Sequence, residues 1–266
     1  MLYSIIKNER KNHTERGGNM EKCVFIRFEN TDSTNMRARE YAKEKNAEVP
    51  AFFIADMQSA GRGRLGRSFY SPDCAGLYMT LLFKSEPNSE IFARITAIAA
   101  VCASDAVFEC TGIRTKIKWV NDLYSENRKV AGILAESFVE NGERFVALGV
   151  GINIFETVFP IDIADKAGAL LSSEAGVKWR EKRDELALCL GKKMLEAVKK
   201  LDFGEYIEKY REYSCVIGKK IRFSRRENEY FATALDITDS GALLVLCENG
   251  EKEELSNGEI SVFVEG

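Results

Sequence analysis

The chain has few histidines, few prolines and no paired cysteine motif, and each shortage argues against a class of protein. Its single histidine, His13, lies in a polar N-terminal stretch, which argues against histidine catalysis and histidine metal sites. The seven cysteines are odd in number and form no C-x-x-C pair, a pattern typical of reduced thiols in a cytoplasmic protein rather than of a disulfide framework.

Long apolar runs and an excess of charge are also missing. No run of about 18 apolar residues occurs and no apolar segment follows the N-terminus, so neither a membrane span nor a signal peptide is predicted. The formal net charge is only -3, so the surface as a whole does not attract nucleic acid or anionic membranes. With 266 residues, 45% of them hydrophobic, the chain can form one large domain plus a small one.

Hydrophobic periodicity predicts an α+β fold, in which a central mixed or antiparallel sheet carries helices on one side. Strands are predicted at 23–30, 51–58, 77–84 and within RTKIKWVNDLY, RKVAGILAESF and RFVALGVGINI, the last two joined by a hairpin turn. Helices are predicted from about Thr34, over 91–109 and over 179–201, with more helix after that to about Tyr213. From Cys215 onward, short β-type runs separated by turns predict a small β-barrel of about 50 residues.

These features divide the chain into three parts, at 1–19, 20–214 and 215–266. The first part is polar and lacks periodicity, so we expect it to be disordered. The codons of the ERGGN stretch before Met20 can resemble a ribosome-binding sequence, which makes Met20 the expected natural start.

One short stretch, GRGRLGR at 61–67, alternates glycines with three arginines. Gly61, Gly63 and Gly66 satisfy the G-x-G-x-x-G pattern of dinucleotide-binding turns, but that fingerprint needs a helix to begin at the third glycine. The residues that follow include Pro72 in a Ser-Pro-Asp turn, which argues against such a helix.

The composition of this arginine loop, residues 61–67, predicts a site for anions. Glycine lets backbone N–H groups approach a ligand closely, and arginine offers forked donors to phosphate and carboxylate. The simplest ligand is a polyphosphate together with a carboxylate. A nucleic-acid patch with Phe69 and Tyr70 as stacking partners is a second interpretation, disfavoured by the net charge, and a solvated basic turn is a third.

Four segments, taken together, resemble the biotin protein ligases. They are DSTNMRARE at 32–40, QSAGRGRLGRSFYSP at 58–72, KWVNDLYSENRKVAGILAE at 118–136 and GVGINI at 149–154. The later GALLVL and GEIS segments resemble that family's small C-terminal domain. The resemblance covers nearly everything from Phe25 to the end. It implies a class II synthetase-like biotin/lipoate ligase catalytic domain over 20–214 and an SH3-like β-barrel over 215–266.

The resemblance implies that biotin is activated with ATP to biotinyl-5′-AMP and then transferred to a lysine. The lysine would belong to the biotin carboxyl carrier domain of acetyl-CoA carboxylase or a related biotin enzyme. Mg²⁺ is implied as a cofactor, no DNA or membrane partner is expected, and a homodimer through the central sheet is compatible with the resemblance. The N-terminal stretch is too short for the winged helix of bifunctional relatives, so we expect a monofunctional ligase.

Two anions, a carboxylate and a phosphate, must meet in this reaction, so fixed cations are needed to cancel their repulsion. The resemblance assigns catalytic roles to Lys129, Arg64 and Asp122, where Asp122 would either hold Mg²⁺ or orient the attacking amine. The residues implied to bind biotin are Ser33, Thr34, Asn35, Gln58, Arg62, Gly63, Arg64, Lys129, Gly132 and Ile133. Those implied to bind ATP are Arg64, Arg67, Lys118, Asn121 and Asn153.

Finer roles follow from the same resemblance. The short polar side chains at 33–35 would bind the ureido ring with Gln58 beside them, since a neutral urea needs both donors and acceptors. Gly132 and Ile133 would line an apolar slot for the valeryl tail, and Trp119 would pack under the arginine loop.

Each segment alone has a plainer interpretation. Residues 33–35 could be only a helix cap, Lys129 a strand-edge lysine and the Asn-Asp pair at 121–122 a hairpin turn. The sequence also departs from the family pattern, with Val120 where proline is frequent. Some relatives carry an ATP-contacting arginine where this chain has residues 262–263, which leaves the role of the C-terminal domain in ATP binding open.

Two other functions remain as alternatives. A lipoate or octanoate ligase shares the catalytic fold but lacks this arginine loop. A non-enzymatic nucleic-acid-binding protein would use the loop for phosphate contacts, and its affinity would fall steeply with salt.

Overall fold

The computed structural model describes residues 23–85, 91–172, 178–200, 203–225 and 228–256, and they form two sheets with four helices. The expected disordered leader at 1–19 and the departures at 262–263 lie outside the described residues.

The first sheet has seven strands. They are β1 (Val24–Thr31), β2 (Ala51–Gln58), β3 (Gly76–Lys84), β4 (Lys116–Lys118), β5 (Asp122–Ser125), β6 (Arg128–Glu140) and β7 (Glu143–Asn153). Their spatial order is β1-β2-β3-β7-β6-β5-β4. Strands β1 and β2 are parallel and every other neighbouring pair is antiparallel, which confirms the predicted mixed sheet.

Local chemistry explains the central hairpin between β6 and β7. Asn141 and Gly142 form its turn with φ angles of +52° and +80°. Positive φ at both central residues is what a two-residue hairpin turn requires, and Asn-Gly is the favoured pair for it. The predicted turn between these strands is thereby confirmed.

The helices are α1 (Thr34–Tyr41), α2 (Ile91–Thr111), α3 (Trp179–Lys200) and α4 (Phe203–Tyr213). Successive strand residues point to opposite faces of a sheet, so Phe52 and Phe53 mark the two faces. Phe52 belongs to the large core that contains α2, α3 and α4, whereas Phe53 packs with Ala38 of α1 in a second cluster. The prediction that the helices share one side is therefore wrong for α1, because periodicity identifies an apolar stripe but not the face that it covers.

The second sheet is antiparallel, with strand order β11-β10-β9-β8. Its strands are β8 (Lys220–Arg225), β9 (Asn228–Ile237), β10 (Leu243–Cys247) and β11 (Lys252–Leu255). These strands agree with the short β-type runs predicted from Cys215 onward. The segment between α4 and β8 is bound to the first sheet, because the N–H of Cys215 donates to the carbonyl of Ile117 in β4 (2.9 Å).

None of the described helices combines the length and the apolar character needed to cross a membrane. The seven cysteines all lie within the described ranges, and no disulfide joins any two of them.

Candidate functional site

A cavity of about 500 Å³ opens on the face of the sheet that carries α1. It is large enough for a small-molecule ligand. Every residue that the resemblance assigns to catalysis, to biotin or to ATP lies along it. The full set is Ser33, Thr34, Asn35, Gln58, Arg62, Gly63, Arg64, Arg67, Lys118, Asn121, Asp122, Lys129, Gly132, Ile133 and Asn153.

The arginine loop forms one wall of this cavity. The N–H of Gly63 donates to the carbonyl of Arg67 (2.7 Å), and the N–H of Phe69 donates to the carbonyl of Gly61 (2.8 Å). The chain folds back on itself between these bonds, with Gly66 at a φ of +72°. Residues 67–72 are all described and contain no helix, so the helix that a dinucleotide-binding turn requires is missing there.

A chain of hydrogen bonds holds the polar floor of the cavity. The backbone N–H and the hydroxyl of Thr34 both donate to Gln58 Oε1, at 2.8 and 3.1 Å. Gln58 Nε2 donates to Ser71 Oγ (3.0 Å), whose hydroxyl donates to the carbonyl of Phe69 (2.9 Å). The orientation of the Gln58 amide is therefore fixed from both ends.

The same network continues through Asn35, which is buried. Its Nδ2 donates to Glu136 Oε2 (2.8 Å), and its Oδ1 lies 2.6 Å from the hydroxyl of Thr80. Thr80 Oγ1 also lies 2.8 Å from Thr34 Oγ1, which joins the two halves of the network. Sequence reasoning missed Thr80 and Glu136, although Thr80 is the one polar residue between Leu77 and Phe83 in an otherwise apolar run.

Ser33 precedes α1 with extended backbone angles, as an N-cap residue does. Its side chain makes no capping hydrogen bond within the described chain, and the residue is only 3% exposed. The plainer helix-cap interpretation thus accounts for the backbone conformation of Ser33. It does not explain the hydroxyl, which lies at the cavity wall and does not cap the helix.

Lys129 and Asp122 form an ion pair at the other end of the cavity, with 2.7 Å between Nζ and Oδ1. Lys129 is held by its backbone as well. Its N–H donates to the carbonyl of Lys166 (2.8 Å), and its carbonyl accepts from the N–H of Gly168 (2.9 Å). The segment at 161–168 therefore fixes Lys129 beside the carboxylate.

Two further cations near Asp122 are partly withdrawn from water. Burial lowers the pKa of Lys118, and the charge of Asp122 opposes that shift. Burial also lowers the pKa of Arg64, again opposed by Asp122. Desolvated cations bind an incoming anion more strongly than hydrated ones do. This end of the cavity is thus suited to phosphate and carboxylate groups.

Comparison with known proteins decides the family. A model described as the biotin/lipoate A/B protein ligase family matches residues 27–153, and one described as the biotin protein ligase C terminal domain matches 216–262. The bifunctional ligase/repressor BirA of Bacillus subtilis (strain 168) is 31% identical over 226 residues, which cover 83% of this chain and 69% of that protein. The chain belongs to the biotin protein ligase family.

Other relatives agree with this assignment. The biotin–[acetyl-CoA-carboxylase] ligase of Paracoccus denitrificans is 38% identical over 128 residues, 47% of this chain and 52% of that protein. A structure titled biotin protein ligase from Aquifex aeolicus in complex with biotin and ATP superposes with a TM-score of 0.76 at 28% identity. The superposition covers 91% of this chain and 99% of that one. Membership of a ligase family overturns the non-enzymatic alternative.

In this ligase, the turn that carries the Asn-Asp pair is held from several directions. Asn121 Nδ2 donates to the carbonyl of Ile133 (2.8 Å), so its amide connects the turn to β6. The hydroxyl of Tyr210 in α4 donates to the carbonyl of Val120 (3.0 Å). The hairpin-turn interpretation is therefore confirmed for Asn121, whereas Asp122 is the first residue of β5 and lies along the cavity.

Trp119 makes a contact that was not predicted. Its indole N–H donates to the carbonyl of Gly241 (2.9 Å), in the turn before β10. The side chain thus connects the ligase cavity to the segment that leads into β10, and its packing under the arginine loop stays a prediction. Sequence spacing held no signal for this contact, which joins residues 122 positions apart.

Ile133 lies along the cavity together with Gly132 and Leu134. Its side chain is 1% exposed, however, and lies in the core formed with α2, on the far face of the sheet. Because side chains alternate along a strand, Leu134 rather than Ile133 has its side chain on the cavity face. Asn153, nearby on β7, donates from Nδ2 to the carbonyl of Gly168 (2.9 Å) and so anchors the segment beside Lys129.

Two glycines of the GVGINI segment allow groups to approach the sheet closely. A Cβ at Gly149 would lie 2.3 Å from Asn35 Oδ1, and one at Gly151 would lie 2.5 Å from the ring of Phe69. Glycine at alternate positions of one strand is a signal that the sequence does carry, because both positions face the same side.

Proposed function

We propose that this ligase uses ATP to attach biotin to one lysine of a biotin carboxyl carrier protein, through biotinyl-5′-AMP. The observation that carries the proposal is the arrangement of the cavity. The Lys129–Asp122 pair lies at one end, and the neutral network of Thr34, Asn35 and Gln58 lies at the other. An acid with a neutral polar ring and a reactive carboxylate matches such a cavity.

Biotin would bind along the sheet with its ring toward α1. Ser33, Thr34, Asn35 and Gln58 would face the ureido group, whose carbonyl and N–H groups need donors and acceptors. The valeryl tail would run over Gly132 and Leu134, which face the cavity. The carboxylate would then reach Arg62, Gly63 and the cations beyond. In this assignment, Leu134 rather than Ile133 contributes the side chain beside the valeryl tail.

In the first half-reaction, a carboxylate oxygen of biotin attacks the α-phosphorus of ATP, and the bond from that phosphorus to the pyrophosphate oxygen breaks. Lys129 and Arg64 would stabilise the negative charge on the two reacting groups. Lys118, Arg67 and the amides of Asn121 and Asn153 would face the phosphates and the nucleoside. The lowered pKa of Lys118 and Arg64 reflects desolvation, which ligand anions would offset.

In the second half-reaction, the carrier lysine amine attacks the carbonyl carbon of biotinyl-5′-AMP. The carbon–oxygen bond to phosphate breaks, AMP leaves with the electron pair, and an amide forms. The amine attacks in its neutral form and then releases one proton to water, and Asp122 is the carboxylate available beside Lys129 to orient it.

Mg²⁺ would supply further neutralisation of the phosphate charge when bound. Mg²⁺ is usually bound by one or two carboxylates together with substrate phosphates and water. The single carboxylate of Asp122 fits that requirement, and no cluster of three or more possible metal ligands occurs in the described ranges. Asp122 would therefore hold the ion jointly with ATP.

Several wider features belong to the same proposal. Seven cysteines without a disulfide among them suit a reducing compartment, so we place the ligase in the cytoplasm. The name of the Paracoccus denitrificans relative supports the acetyl-CoA carboxylase carrier as substrate. The division at 214/215, the homodimer and the lack of DNA binding stay predictions.

The test is biotin-dependent exchange of labelled pyrophosphate into ATP. Lys129→Ala should lower exchange by about 100-fold or more, since it removes the charge at the reacting centre. Lys84→Ala is the matched control, because Lys84 pairs with Glu143 at the surface (2.7 Å) and does not line the cavity. Exchange that requires lipoate or octanoate instead of biotin would contradict the proposal and favour the sister activity.

A further inference from the structure

Glu136 lies beside the cavity, in a small recess between Leu134 and the arginine loop. One carboxylate oxygen, Oε2, accepts from Asn35 Nδ2 at 2.8 Å. The other, Oε1, lies 3.9 Å from an Nη atom of Arg62. The side chain is 34% exposed, so it is neither a core group nor a freely solvated one.

The contact with Asn35 decides how that amide is oriented. A carboxylate can only accept, so the amide must turn its NH₂ group toward Glu136 and its oxygen toward the hydroxyl of Thr80. The second N–H of Asn35 points to the carbonyl of Leu134 at 3.4 Å. What remains for a ligand is a lone pair on Asn35 Oδ1, which suits an N–H donor such as that of a urea.

The contact between Glu136 and Arg62 concerns the group proposed to bind the biotin carboxylate. The Arg62 side chain is 48% exposed and extends from a loop, so its long side chain has many conformations to sample. A carboxylate at 3.9 Å favours the conformations that lie toward the sheet. Arg62 is thus kept near the place where the proposed biotin carboxylate ends.

We propose that Glu136 is a positioning residue, which aligns Asn35 for the biotin ring and Arg62 for the biotin carboxylate. The role rests on the proposed function. It predicts a selective effect on biotin, because Glu136 acts on both biotin-facing groups and has no contact with the Lys129–Asp122 pair.

The experiment compares Glu136→Ala, Glu136→Gln and the control Glu143→Ala in pyrophosphate exchange, with thermal unfolding alongside. Glu143 lies on the same hairpin and pairs with Lys84 at 2.7 Å, away from the cavity. Glu136→Ala should raise the KM for biotin by about tenfold or more, as expected for loss of a hydrogen bond to a charged acceptor. The KM for ATP should be unchanged.

Glu136→Gln separates the two contacts. Its amide oxygen can still accept from Asn35, so the KM for biotin should rise less than in Glu136→Ala. Glu143→Ala should match the wild type in both KM values. A merely structural role would lower the unfolding temperature and leave the biotin KM unchanged, or would raise both KM values together.

Either of those results would overturn the positioning role while the wild-type exchange still supports the ligase. Wild-type protein that shows no biotin-dependent exchange would instead overturn the proposed function, and this role with it.

Discussion

The close approach of α1 to the sheet at Gly149 yields the sharpest prediction. In Gly149→Ala, the added Cβ would lie 2.3 Å from Oδ1 and 3.1 Å from Cγ of Asn35. Non-bonded heavy atoms prefer a separation of about 3.5 Å, so Asn35 has to move by about 1 Å. Such a shift is costly because Asn35 is only 5% exposed and is held by Thr80 and Glu136.

The size of the effect follows from these contacts. Displacing Asn35 weakens a hydrogen bond to a charged acceptor, worth about 1.5–3 kcal/mol. It also misplaces a group proposed to contact biotin, and a misplacement of about 1 Å can cost about 100-fold. Gly149→Ala should therefore raise the KM and the Kd for biotin by about 10- to 100-fold, with little change in the KM for ATP.

Titration calorimetry with biotin and the exchange assay measure these quantities. The matched control is Gly191→Ala, whose new Cβ would lie 3.4 Å from the Phe52 ring, on the opposite face of the sheet from the cavity. This variant should bind biotin as the wild type does. A Gly149→Ala protein with wild-type biotin affinity would refute the argument that the network holds Asn35 in place.

Further predictions concern the network, the cations and a buried charge cluster. Thr80→Val removes the hydroxyl that links Thr34 to Asn35, so it should lower the unfolding free energy by about 1–3 kcal/mol in urea titrations and raise the biotin KM. Lys118→Met should raise the KM for ATP and not that for biotin; equal effects on both would contradict the assigned role. Because burial lowers the pKa of Lys118, its charge is lost at a lower pH than for an ordinary lysine. The wild-type KM for ATP should thus rise as pH increases through that lowered pKa, and Lys118→Met should lack this part of the pH profile. Asp56→Ala deprives Arg183, which is fully buried, of a carboxylate partner, so it should cost about 3 kcal/mol of stability without altering either KM.

The positions of strands and helices could be predicted because they depend on local pattern. The apolar run of β3 and the amphipathic pattern of α3 each lie within a residue or two of the predicted ranges. Caps, turns and periodicity act over a few residues, so one sequence contains all the information that they use.

The face of the sheet on which a side chain lies, and the residues with which it forms hydrogen bonds, could not be predicted in the same way. Whether Ile133 or Leu134 faces the cavity depends on the register of β6 in the sheet, and a one-residue shift reverses the answer. The partnership of Asn35 with Glu136 depends on α1 lying over β6, and no local pattern encodes that. By contrast, the lone threonine in β3 and the paired glycines of β7 were visible signals of a polar contact and a close approach.

Residues that meet in the cavity are far apart in the sequence. The parts of the cavity therefore become complete in a fixed order as the chain is synthesised from its N-terminus. Asn35 finds its partners Leu134 and Glu136 only 99 and 101 residues later. The turn at 119–121 receives its bond to Gly241 after a further hundred residues or so of synthesis, once most of the C-terminal sheet has been made. A growing chain should therefore acquire the surface proposed for the biotin ring well before the turn that presents Asp122 is fully braced.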